Sequence, residues 1–226
     1  KKHAALLDLG FGLGINALEA LRTAAACGNI LEIDSFELDE RPLRAALGIA
    51  PAGSEAATML RTLLERGEYL HAGGRLTLHF GDARTELVKC QRQFDAVFLD
   101  AFSPDCNPEL WTLDFLAEVK RHCRREAILA TYSSSHAVRG ALLKLGFAVG
   151  ESRPFGRKRG GTVASPAPEL IELPLPDKER NIILRSTAGV PFRDRSGRTS
   201  REAILAYREK LVQRLRSRGV PKWYKG

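Results

Sequence analysis

The sequence predicts an α/β fold, a mostly parallel sheet with helices on both faces, followed by a basic helical extension at the carboxyl end. Three observations predict it: apolar, β-rich runs alternate with helical patterns along most of the chain, a glycine-rich turn joins the first run to the first helix, and basic residues concentrate after residue 184.

The elements follow in order. In "LLDLGFGLGINALEAL", residues 6–21, Leu6 to Leu9 read as a buried strand, Gly10, Gly12 and Gly14 as a tight turn, and Asn16 to Arg22 as the first turns of an amphipathic helix. Further strands are predicted at "ILEIDSFEL", "RLTLHF", "FDAVFLD" and "AILATYS", with "AALLDL" as the first; helices are predicted near 14–26, 54–67, 108–122 and 135–145. This alternation places ligands at the carboxyl ends of the strands. Gly146-Phe147 opens another apolar run, whereas "SPAPELIELPLPDKE" is too rich in proline for a central strand and reads as an edge connection. In the tail, Thr199 with Glu202 forms a capping-box pattern, and Ile204, Tyr207, Leu211 and Leu215 follow at helical spacing as a packing stripe, with Gly219 and Pro221 as the stop. Arg201, Arg208, Lys210, Arg214 and Arg218 are expected on the outer faces.

Composition bounds the function. The 226 residues suffice for one main domain with an appendage, read as residues 1–184 and a basic extension, 185–226, packed on it. No apolar run reaches the roughly 20 residues that span a bilayer, and no signal-peptide pattern opens the chain, so a soluble, cytoplasmic protein with no membrane partner is expected. Lys1-Lys2 stands directly before the first strand with no initiator methionine, so a missing preceding segment is expected. Cys27, Cys90, Cys106 and Cys123 form no C-x-x-C pair, which suggests neither a disulfide framework nor a metal site. The formal charge of +8 is uneven: residues 185–226 hold 12 Lys and Arg against 3 Asp and Glu, a net +9, and leave the rest near neutral. Such a tail, ending in "PKWYKG", suits a polyanion, and its mixture of rings and cations suits unpaired RNA.

The glycine turn allows two ligand classes. A dinucleotide fingerprint requires a small third residue, and the bulky Ile15 stands there, which counts against NAD. The pattern D-x-G-x-G-x-G, Asp8 to Gly14, resembles that of class I S-adenosylmethionine methyltransferases, in which the acid engages the amino-acid moiety of the ligand. Acids recur at the next strand ends: Glu37, placed for the ribose hydroxyls, with Asp39 as runner-up; Asp82, placed for the adenine amino group; and Asp100 after the fourth strand. Each alone reads as a helix cap, but four at successive strand ends point to one ligand.

The blocks "LLDLGFGLGIN", "FELD", "GDAR", "FLDAFSPDCNPELWT", "ATYSSSHAVRGALLKLGF" and "PFGRKR", in this order, resemble the methyltransferase domain of the MnmC family in its stand-alone form without the FAD oxidase domain. The resemblance covers about residues 4–164, with Gly160-Gly161 standing where the family usually has Glu-Met. It implies a Rossmann-like class I fold and methyl transfer from S-adenosyl-L-methionine, without a metal, to the aminomethyl nitrogen of a wobble uridine in the tRNA anticodon loop. A separate enzyme would supply the aminomethyl group. It implies cofactor contacts from Asp8, Gly10, Gly12, Gly14, Asn16, Glu37, Asp82, Ala83 and Asp100, with Asp100 as the catalytic proton acceptor. On the substrate side it implies Pro104, Asn107 and Trp111 in the loop, and Arg157, Lys158 and Arg159 on phosphates. Trp111 reads equally as a base-stacking surface and as a core residue that holds the loop. Open alternatives are a polyamine-synthase-like aminopropyl transferase, a methyltransferase acting on another RNA or a small amine, and a non-catalytic RNA-binding module, which would have no use for the acids.

Overall fold

The computed structural model describes residues 2–154 and 160–224, in two compact units, Lys1–Asp100 and Ala101–Gly226. The first unit runs β1 (His3–Leu9), α1 (Ile15–Ala26), β2 (Ile30–Glu37), α2 (Arg41–Ile49), α3 (Glu55–Arg66), β3 (Glu68–His71), β4 (Gly74–Phe80), the short α4 (Ala83–Glu86) and β5 (Phe94–Leu99). Its strands lie in the order β3-β4-β2-β1-β5. β1 pairs in parallel with both β2 and β5, and β2 pairs in parallel with β4, so the expected parallel sheet is present; only β3 is antiparallel, joined to β4 across Ala72-Gly73. Alternation along the strands selects the core. Leu6, Ile33, Leu76 and Leu78 meet Leu18 and Leu21 of α1, Leu43 of α2, and Met59, Leu60 and Leu63 of α3. The hydroxyl of Ser54 caps α3 by accepting from the Ala57 amide, and Gly67 ends it.

The second unit runs α5 (Leu113–Arg121), β6 (Cys123–Thr131), α6 (His136–Lys144), β7 (Ala148–Glu151), β8 (Thr162–Ser165), α7 (Asp177–Arg185) and α8 (Arg201–Ser217), with its strands in the order β6-β8-β7, all antiparallel. The helix expected over 108–122 is broken: Pro108–Trp111 forms a 3-10 turn, and Thr112 restarts the chain as the cap of α5, accepting from the Phe115 amide at 3.2 Å. The proline-rich stretch runs along the edge: it holds a 3-10 turn at Pro168–Leu170, meets β7 at a Gly150–Pro174 bridge, and passes into α7 at Asp177. Arg139 of α6, 1% exposed, ties this unit together. It donates to Thr162 Oγ1 at 2.9 Å and to the Gly161 carbonyl at 3.0 Å, and it pairs with Glu151 and Glu179. α6 also packs backbone to backbone on the turn Thr187–Gly189. A Cβ on Gly140 would lie 2.3 Å from the Gly189 carbonyl oxygen, and one on Gly189 would lie 2.0 Å from that of Ile183.

α8 corrects the tail reading in two places. Its cap is Ser200, which accepts from the Ala203 amide, whereas the Thr199 hydroxyl donates to Asp194. Its packed face carries Ile204, Arg208 and Val212; Tyr207, expected on that stripe, is 48% exposed. Arg208, expected outside, packs inward because the surface it meets offers acceptors: its guanidinium donates to the Val190 and Ala188 carbonyls and lies 4.9 Å from the Phe192 ring centre. The four cysteines are unpaired thiols. Among the described residues no helix is long and apolar enough to cross a membrane, and no group of three His, Cys, Asp or Glu residues is placed to hold a metal ion.

Candidate active site

The first unit brings the sequence-predicted acids to one end of its parallel strands. After Leu9 the chain turns through three glycines with positive φ, Gly10 (93°), Gly12 (57°) and Gly14 (75°), a region that side chains disfavour. The amides of Gly10 and Phe11 donate to the Phe36 carbonyl, which ties the turn to β2. Gly14 caps α1, and a Cβ there would lie 2.5 Å from the Phe11 ring and 2.8 Å from Met59 Cε. Close packing is therefore met at Gly14, and Ile15 points outward at 64% exposure. Gly12 is open above: a Cβ would have only the Gly10 carbonyl oxygen near it, at 4.0 Å.

Asp8 lies directly beneath this turn, 1% exposed. Its Oδ2 accepts from the Ser35 hydroxyl at 2.5 Å, while Oδ1 has no hydrogen-bond partner. Burial pushes its carboxyl up to about 6, with Asp100 and Glu37 adding to the rise and Ser35 opposing it. Glu37, at the end of β2, closes the turn: Oε2 accepts from the Gly12 amide at 2.9 Å, and Oε1 accepts from the amides of Leu38 and Asp39. Asp39, the runner-up, is instead paired with Arg41. Asp82 caps α4, accepting from the Arg84 amide at 2.9 Å, and is gripped by the Arg84 guanidinium; Ala83, the first residue of α4, is buried. Asp100 follows β5, its amide donating to the Leu9 carbonyl and its Oδ2 accepting from Asn16 Nδ2 at 2.7 Å. Partial burial raises the Asp100 carboxyl above the usual range, and the Asn16 amide partly offsets this.

These groups suit a compact cationic ligand. A buried carboxylate oxygen without a partner matches an ammonium donor, since an unmatched buried acceptor is costly. The open backbone at Gly12 gives a flat approach, and the acids at the ends of β1, β2, β4 and β5 supply acceptors for hydroxyl and amino groups. S-adenosyl-L-methionine carries an ammonium, a sulfonium, a ribose and an adenine, and the residues present fit it.

The loop residues expected on the substrate side belong to the second unit. Pro104 is buried, Asn107 donates to Glu109 Oε2 at 2.7 Å, and Trp111 is 0% exposed. Trp111 donates through Nε1 to the Phe102 carbonyl at 2.8 Å and meets the Tyr132 ring edge-on. A ring so enclosed offers no face to a base, so burial decides for the core role over the stacking one. The exposed rings are ones that the sequence reading missed: Phe102 at 80% and Tyr132 at 52%, the latter donating to the Ala101 carbonyl. An unsheltered ring two residues after Asp100, inside a polar, proline-rich loop, was the available signal. Arg157, Lys158 and Arg159 lie outside the described residues.

Fold and site together define a class I, Rossmann-like methyltransferase. The family model for S-adenosyl-L-methionine-dependent methyltransferases matches residues 55–167. The crystal structure of MnmC2 from Aquifex aeolicus superposes with a TM-score of 0.78 and 39% identity, covering 95% of this chain and 69% of that one. The tRNA 5-methylaminomethyl-2-thiouridine biosynthesis bifunctional protein MnmC of Aromatoleum aromaticum is 40% identical over 172 residues, 70% of this chain and 27% of its own length. An uncharacterized protein of Methanocaldococcus jannaschii is 31% identical over 219 residues, 94% of this chain and 60% of its own. The chain thus spans only part of these curated relatives. It belongs to the S-adenosyl-L-methionine-dependent methyltransferase family that includes the MnmC methyltransferases.

Proposed function

We propose that the chain transfers a methyl group to the aminomethyl nitrogen of a wobble uridine in tRNA, giving 5-methylaminomethyl(-2-thio)uridine. The observation that carries this reading is Asp100, held by Asn16 at the open end of β5 and followed at once by the "DAFSP…NPELW" loop. The similarity to MnmC2 along 95% of the chain supports the same reading. S-adenosyl-L-methionine supplies an electrophilic methyl on a sulfonium, so the transfer is an in-line displacement and needs mainly alignment and exclusion of water. Asp8 takes the ligand ammonium on its unpartnered Oδ1. Gly10, Gly12 and Gly14 give backbone approach, Glu37 accepts from the ribose, and Asp82 and Ala83 border the adenine. Asn16 fixes the Asp100 carboxylate. Asp100 orients the attacking amine and accepts its proton, directly or through water, as the nitrogen–carbon bond forms and the sulfur–carbon bond breaks; its raised pKa favours that acceptance.

On the substrate side, Pro104 and Asn107 shape the loop and buried Trp111 holds it, while Arg157, Lys158 and Arg159 meet anticodon phosphates. The wobble base leaves its stack to reach the site. Residues 1–184 serve as the methyltransferase domain and 185–226 as an extension that meets RNA, and a preceding reaction makes the aminomethyl group. A cytoplasmic location, where tRNA is modified, goes with this reading. Radiolabelled methyl transfer to undermethylated tRNA, followed by nucleoside analysis, tests it. Label in 5-methylaminomethyl nucleosides is the expected result; label in another nucleoside, or none in a protein that binds S-adenosyl-L-methionine, overturns it.

A further inference from the structure

The second unit contains a cavity of about 330 Å3, within the size range of small-ligand sites. Its walls are the amino end of α6, the turn Thr187–Gly189, the inner side of α8 and the segment Lys222-Trp223. Two cations face it without acidic partners among the described residues: Arg216, whose Nε donates to Thr187 Oγ1 at 3.3 Å, and Lys222. The acids in the wall, Asp105 and Glu209, act instead on Arg208. Trp223 lines the cavity while 45% exposed, held edge-on by His136 at 5.2 Å between ring centres. The amino end of α6 adds no negative charge, having no acidic residue in its first turn.

A bare anion would use the cations and leave the indole without a role. A single nucleotide uses both: phosphate on Arg216 and Lys222, and base against Trp223. We propose that this cavity is a nucleotide subsite that seats one unpaired nucleotide of the RNA substrate away from the methyl-transfer site. The proposal rests on the tRNA reading above and deepens it by assigning the tail a defined recognition role. Stacking inside a duplex would cover the base face that Trp223 needs, so the subsite favours single-stranded over duplex RNA.

The chain has two tryptophans, and Trp111 is fully buried, so Trp223 serves as the reporter. An unmodified anticodon stem–loop RNA titrated into the full chain should quench Trp223 fluorescence, and Trp223→Phe should abolish the quench while keeping the affinity. Trp223→Ala should weaken binding about five- to 150-fold, the measured range for loss of one stacked base. The double variant Arg216→Ala/Lys222→Ala should also weaken binding and flatten its log-log salt slope by up to about 1.4, at about 0.7 per single-strand contact. Unchanged affinity for S-adenosyl-L-methionine checks that each variant is folded. Wild-type RNA affinity and salt slope in Trp223→Ala and in the double variant overturn the subsite, even if the enzyme methylates tRNA. RNA-dependent quenching of an enzyme that methylates no tRNA leaves the subsite standing and overturns the tRNA methyl-transfer reading instead.

Discussion

Replacing Asp8 by Asn should stabilise the ligand-free protein and weaken its cofactor binding. Burial raises the Asp8 carboxyl from 3.8 to about 6, a difference of about 2 pH units. At about 1.4 kcal/mol per unit, the ionised side chain costs the folded state about 3 kcal/mol well above pH 6. The sign follows from proton counting. Between 3.8 and about 6 the folded chain holds more protons than the unfolded chain, so stability falls as pH rises through that window. Asn keeps the shape and the Ser35 contact and removes the charge, but it leaves one buried polar atom unmatched, at about 1 kcal/mol. The net gain is about 2 kcal/mol at pH 7.5, and it should shrink by about half or more at pH 5, where the native carboxyl is mostly protonated. Loss of a charged hydrogen bond to the ligand ammonium costs about 1.5–3 kcal/mol, or roughly 10- to 150-fold in affinity. Denaturant unfolding at both pH values and calorimetric titration with S-adenosyl-L-methionine measure both effects. A variant less stable than the parent at pH 7.5, or one binding the cofactor within twofold of it, would refute the assignment of Asp8.

Asp100→Asn should lower methyl transfer by two orders of magnitude or more while S-adenosyl-L-methionine affinity stays within a few-fold, since proton acceptance is lost and most cofactor contacts remain; steady-state turnover beside equilibrium binding checks this. Gly14→Ala should cost about 2–4 kcal/mol of stability, because its Cβ meets the Phe11 ring in a left-handed backbone, whereas Gly12→Ala should cost only about 1 kcal/mol and act mainly on cofactor affinity. Removing charge at the exposed Arg214 and Arg218 should flatten the salt dependence of tRNA binding by up to about 0.7–0.9 per lost phosphate contact, and unaltered slopes would show that these side chains meet only water.

The sequence made the glycine turn and the strand-end acids legible because both are local. Spacing fixes where a strand stops, and a run such as "LLDLGFGLG" leaves few backbones available. The strands β3 and β8 escaped, being only four residues long; the helices α2 and α7 escaped because Pro42 in the first turn of α2 and Pro176 directly before α7 read as breakers, whereas α6, also nine residues long, was legible. Trp111 shows the limit for side chains: its type suits a platform and a core equally, and only the Phe102 carbonyl and the Tyr132 ring closing over it decide. In α8 the error was one position at the cap and one around the helix. Asp194 draws Thr199 away from the cap, and the carbonyls of Ala188 and Val190 make an arginine a better inward residue than a tyrosine. The Val190 and Ala188 carbonyls lie 18 and 20 residues before Arg208, outside a helical window, whereas Asp194 stands only 5 residues before Thr199 and competes locally. The roles of Arg157, Lys158 and Arg159 rest on the sequence alone.

The backbone contact between Gly140 and Gly189 means that the width of the nucleotide-sized cavity is set by residues that do not line it. Gly140 seats α6 on the Thr187–Gly189 turn, and Gly189 seats that turn on the end of α7, so the cavity wall built by Thr187 and Ala188 stands where two absent methyl groups allow it. A single added carbon at either position would push that wall without altering one lining side chain. Specificity in this part of the molecule can therefore drift through glycine positions alone, while the chemistry of the cavity surface stays constant.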